Sequence, residues 1–157
     1  MNAEKEFFKY AFPCSQTLMQ LGRISKEDYE KLRKKFFNGK TPDREFLEKS
    51  FVAAFKRIKR LAKEMNKDYW DIDVIVEYWL NNHNKMINSG DGLYSKTPES
   101  FNRLCRVNDA LVVEKKEDQL IVEYGEKCVR VVSGFLVPNA KVGEKYRIHY
   151  GFAIEKI

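Results

Sequence analysis

Apolar residues recur at helical spacing up to about residue 90 and alternate with polar ones beyond about residue 105, so the chain changes period once. In the first stretch, Ser25 followed by Asp28 reads as a capped helix start. Tyr29, Leu32 and Phe36 then share a face, and Asn38-Gly39 supplies the stop. Thr41-Pro42 reads as an N-cap with proline at the first helical position. Phe46, Leu47, Phe51, Phe55, Ile58, Leu61 and Met65 continue as one stripe, which predicts a single long helix over 42–66. A further helix is predicted over 71–87, with Ile72, Ile75, Trp79, His83 and Met86 on a common face and Asp71 and Asp73 near its positive end. On that stripe His83 reads as a core histidine rather than a ligand.

The stretch from Asn88 to Thr97, with Pro98 beyond it, concentrates turn formers and divides the chain into a helical part, 1–97, and a β-rich part, 98–157. In the second part Leu111 and Val113, then Leu120, Val122 and Tyr124, then Val129 and Val131, then Tyr146, Ile148, Tyr150 and Phe152 alternate with their neighbours. Turn chemistry separates these runs at 115–118, 125–127 and 138–143. The expected fold class is α+β in two parts, with a small, closed or partly closed antiparallel barrel that disposes of its strand edges.

Composition changes this picture little. Hydrophobic residues make up 43% and charged residues 33%, as in a globular domain with a Lys/Glu-rich surface. The net charge of +6 is spread along the chain, with 19 basic and 15 acidic residues in 1–100 and 10 and 8 in 101–157. Neither part is strongly basic, and general solubility accounts for the excess. No apolar leader or membrane-length run is seen, and a cytoplasmic location is the expectation. The three cysteines, Cys14, Cys105 and Cys128, suggest neither a disulfide framework nor a structural zinc site. Nucleophile-elbow, P-loop and zinc-protease motifs are all missing and there are only two histidines, so catalysis is not expected.

The tail opens with Leu104-Cys105-Arg-Val-Asn-Asp-Ala-Leu-Val-Val113, passes through Val142-Gly-Glu-Lys-Tyr146 and closes with Ile148-His-Tyr-Gly-Phe-Ala-Ile154. Over 105–157 it resembles the hydrogenase-maturation chaperone family of the HypC/HupF type. In that family a Met-Cys begins the first strand and a run close to Val-His-Val-Gly-Phe-Ala-Ile forms the last. The resemblance implies an OB-like barrel serving as an assembly factor. Its cysteine would help to hold an iron carrying cyanide and carbon monoxide, delivered to a hydrogenase large-subunit precursor. Cys105 matches the family's cysteine and His149 the histidine of its closing strand, so these two are the implied metal residues. The iron would be transient cargo, and no tightly bound cofactor, small-molecule substrate or membrane is implied. Asp109-Ala110 stands where the family has Pro-Gly, and Cys105 is internal where the family's cysteine lies beside a chain start.

The residue types fit that chemistry. Thiolate is a soft donor for low-valent iron, and imidazole adds a ligand or a hydrogen bond to cyanide. Arg103 and Arg106 flank Cys105, and cationic neighbours favour the thiolate. Strand parity groups His149 with Arg147, facing away from the barrel interior toward a partner, and groups Cys105 with Val107, Leu111 and Val113. The competing function is nucleic-acid binding by an OB-like module. Tyr124, Tyr146, Tyr150 and Phe152 would be its stacking platforms and Arg130, Lys145 and Arg147 its basic lining. The aromatics of the helical part, among them Phe7, Phe8, Tyr10 and Phe12, read as core.

Overall fold

A computed structural model describes residues 1–157, which divide into two compact units, Met1–His83 and Asn84–Ile157. The turn-rich stretch 88–97 therefore belongs to the second unit.

In the first unit, helices α1 (Ala3–Ala11), α2 (Ser15–Gln20) and α3 (Lys26–Phe37) precede α4 (Arg44–Ser50), α5 (Val52–Met65) and α6 (Ile72–Glu77). Ser25 caps α3 as its sequence implies, its side chain accepting from the Asp28 amide. The single helix expected over 42–66 is two. Asp43, not Thr41, is the N-cap and accepts from the Phe46 amide at 2.9 Å, and the helical path breaks at Phe51. Phe51 leaves helical angles while its ring packs edge-on against Phe7 at 5.5 Å, so packing decides the backbone there. Phe7 also meets Phe55 and Trp79, Tyr10 stacks on Trp79, and Phe12 stacks on Phe36 at 4.1 Å. The early aromatics are core, as their spacing implies.

The helix expected over 71–87 is present, capped by Asp71, but widens to a π-helical turn at Tyr78–Asn82 before α7 (His83–Asn88). His83 is buried, with Nδ1 3.5 Å from the Tyr78 hydroxyl, which fits a core histidine.

In the second unit, α8 (Glu99–Cys105) leads into β1 (Asn108–Lys116), β2 (Gln119–Tyr124), β3 (Cys128–Ser133), β4 (Lys145–His149) and β5 (Phe152–Lys156). The strands close a barrel in the order β1-β2-β3-β5-β4. Helices followed by this barrel make the chain α+β. Pairing is antiparallel except between β3 and β5, which run parallel and meet only at Ser133 and Phe152. Ala110, Val112, Leu120, Val122, Val132, Tyr146 and Ile148 fill the interior.

Several strand-level expectations are corrected. Cys105 does not open a strand: it ends α8, and β1 begins at Asn108. Leu111 and Val113 point outward, 37% and 40% exposed, because a bulge between Val112 and Glu114 shifts the register. From Lys115 opposite Leu120, a regular ladder would set Val113 against Val122. The bulge sets Val112 there instead and turns the face over. Val129 and Val131 also face outward, while Val132 is buried. The last run is two strands, since Tyr150, at φ +53°, and Gly151 turn the chain between β4 and β5.

Candidate functional site

The C-terminus of α8 and the β4–β5 turn meet in one corner of the second unit. Pro98 stands at the N-cap of α8, and Arg106, just past its end, reaches back to Glu99 at 2.5 Å and to Asn88 Oδ1 at 2.8 Å. The Tyr150 amide donates to the Leu104 carbonyl at 3.1 Å, fastening the turn to the helix end. Cys105 lies there, 4% exposed, with Sγ 3.7 Å from the Tyr150 hydroxyl. The two sequence segments that carry the family resemblance are thus brought together in space.

The chemistry of this corner differs from expectation. Burial pushes the Cys105 thiol up to about 11; side-chain hydrogen bonding with Tyr150 and Tyr94 and the charges of Arg106 and Arg130 oppose that only in part. The thiolate expected from flanking arginines is therefore not favoured. Arg106 is committed to Glu99, and Arg103 projects from the helix surface.

His149 closes β4 and is 0% exposed, not partner-facing. Parity does keep it out of the barrel core, but that side of the strand is covered as well. Its ring lies 5.9 Å from that of Tyr150. No group of three or more His, Cys, Asp or Glu side chains is placed to hold a metal ion.

Sequence reasoning gave Arg130 only a lining role, yet it is central here. From β3 its guanidinium reaches the Tyr150 carbonyl at 3.0 Å, the Arg103 carbonyl at 3.3 Å and the Tyr124 hydroxyl at 2.8 Å, and it lies 4.6 Å from the Tyr124 ring centre. It bridges β3 to the corner where β3 and β5 leave their pairing incomplete. The signal was available: Tyr124 faces inward, Cys128 is its cross-strand partner, and so Arg130 shares that side.

The residues named as stacking platforms divide. Tyr124 and Tyr146 are buried among the barrel's apolar residues, while Tyr150 and Phe152 are half-buried. Arg147 is held by Glu155 at 3.0 Å and by Asp109 at 3.8 Å.

A separate polar cluster in the first unit is structural. Glu48 accepts from Trp70 Nε1 at 2.8 Å, the Tyr69 hydroxyl at 3.1 Å and Lys59 Nζ at 3.3 Å, tying α4 to α5 and the segment after it. No helix is long and apolar enough to cross a membrane. Comparison with protein-family models, curated proteins and solved structures finds no match to this chain.

Proposed function

We propose that this chain is a non-enzymatic assembly protein, in which an OB-like barrel binds partner proteins in the manner implied by its resemblance to the hydrogenase-maturation chaperones. The observation that carries the reading is the meeting of Cys105 with the β4–β5 turn, since the resemblance rests on those two segments and they lie far apart in sequence. Strand order supports the OB-like assignment: a five-stranded barrel ordered β1-β2-β3-β5-β4 with a parallel β3–β5 contact is the Greek-key arrangement of that class.

Partner binding, not iron carriage, is the part of the resemblance retained here. As cargo, an iron unit needs an accessible thiolate, whereas Cys105 is buried and held protonated and His149 is enclosed. These residues do not fit the cargo as the barrel stands, and no transfer step is assigned to them. The nucleic-acid reading is weakened in the same way, because two of its four platforms are core residues and Arg147 is ion-paired.

The test mixes the purified 157-residue chain with a hydrogenase large-subunit precursor and measures the complex by size exclusion with cross-linking. A stoichiometric complex is expected, formed equally well by Cys105→Ser. Absence of a complex, together with a salt-sensitive shift of single-stranded DNA or RNA, would replace this reading with the nucleic-acid one.

A further inference from the structure

Strand β3 has an unpaired edge. The Ser133 amide donates to the Gly151 carbonyl at 2.7 Å, so it points away from β2. Alternation along the strand then turns the amides and carbonyls of Val131 and Val129 the same way. Pairing with β5 ends at Ser133, which leaves those groups without a neighbouring strand. The side chains above this edge are apolar and outward: Val129 is 63% exposed and Val131 56%, and Leu111 and Val113 continue the same outer face on β1. A strand edge flanked by exposed β-branched residues is a template for another strand.

Charge identifies what kind of strand fits. Arg130 uses its guanidinium on two carbonyls, a phenol and a ring, none of which neutralises it, and neither Arg130 nor exposed Arg103 forms an ion pair. A second copy of β3 would bring another Arg130 and Lys127 to the same edge, and like charges across a strand pair oppose pairing. A strand with acidic side chains on the Arg130 side and apolar ones on the Val129 side meets both features.

We propose that the β3 edge from Val129 to Val131 is a docking strand, taking an extended acidic segment of a partner protein in which Glu or Asp alternates with β-branched residues. Backbone hydrogen bonds to Val129 and Val131 supply the pairing, the valines extend the outer apolar face, and Arg130 and Arg103 select for acid. The inference rests on the partner-binding reading and names the surface involved.

The probe is an acetylated, amidated peptide of alternating Glu and Val, added to the isotope-labelled 157-residue chain while amide hydrogen exchange is followed by NMR. Saturating peptide should slow exchange at Val129 and Val131 by about tenfold or more, as expected for newly hydrogen-bonded edge amides. A Lys/Val peptide should not. Val131→Pro removes one outward N–H and leaves the β2 ladder intact, because proline is tolerated where the amide faces off the sheet. It should weaken the Glu/Val peptide by about tenfold, the effect of losing one or two net hydrogen bonds.

Three results would overturn the proposal: no slowing at about 1 mM peptide, a concentration at which even weak pairing registers; equal effects of the Lys/Val peptide; or slowed exchange without peptide that grows with protein concentration, which would make a second copy the occupant. The peptide measurements on the unaltered chain decide the matter even if Val131→Pro does not fold. The large-subunit complex is scored separately. Its failure with peptide binding retained removes only the choice of partner, and its persistence without peptide binding removes only the edge.

Discussion

A thiol set between two arginines in sequence ionises readily in water, yet at Cys105 desolvation is the larger effect. The helix end and the β4–β5 turn take the sulfur out of solvent, and a charge there loses more hydration than Arg106 and Arg130 return. With the thiol pushed up to about 11, only about one molecule in a thousand carries thiolate at pH 8. Alkylation mapped by mass spectrometry at pH 8 should therefore find Cys105 slower than half-buried Cys14 and Cys128 and accelerating toward pH 11. Fast labelling at pH 8 would show the sulfur to be accessible and reopen the carrier role. The same shift has a stability consequence. The raised pKa means that the unfolded chain loses its proton first as pH climbs from the ordinary 9.0 toward 11. Stability is full below that interval and falls across it. Cys105→Ala should fall less steeply there than the unaltered chain in parallel melts.

Among the elements, helix positions are more legible than strand faces, although caps are read only in part. Ser25 caps as its spacing implies, because a cap is a local contact between residues two or three apart, whereas the cap expected at Thr41 is supplied by Asp43, and Asp71, read only as a helix-start charge, is a cap as well. Strand faces depend on register, which one extra residue inverts. The bulge in β1 turned Leu111 and Val113 outward although β2 was read on the correct face. For β3 the register was recoverable, since a hairpin pairing Tyr124 with Cys128 fixes every later residue of the strand. The loop before β4 carries a further device. Glu144 accepts from Lys156 Nζ at 2.5 Å, the Tyr146 hydroxyl at 2.6 Å and the Lys141 amide at 3.0 Å, joining that loop, β4 and β5. Lys156 first, then Tyr146 and the Lys141 amide, hold its carboxyl down to about 2. Because this pKa is depressed, the stabilisation is present above the ordinary 4.5 and lost as pH falls toward 2. Glu144→Gln keeps an acceptor but no charge, so its melting temperature should be lower at neutral pH and flatter between pH 4.5 and 2. A slope matching that of the unaltered chain would show that other carboxylates set the acid limit.

For the whole molecule, the change from helical to alternating period places a division at the turn-rich stretch 88–97, whereas the two compact units divide where no turn marks the chain. The division between His83 and Asn84 falls within the helical run that continues through α7, so sequence punctuation pointed to the later Gly-rich stretch. Each unit encloses apolar residues of its own: Phe7, Leu32, Leu47 and Ile58 in the first, and Leu120, Val122 and Ile148 in the second. Two such cores predict two cooperative blocks of stability. Leu120 and Ile58 are both fully buried, and truncating either to alanine should cost about 2–5 kcal/mol. Native-state hydrogen exchange locates that cost. Leu120→Ala should lower protection at β1–β5 amides while α1, α3 and α5 keep theirs, and Ile58→Ala should do the reverse. The double variant should show both losses added, as expected of two independent blocks. Uniform loss of protection in either single variant would mean that the chain unfolds as one block, with the two cores parts of a single cooperative structure.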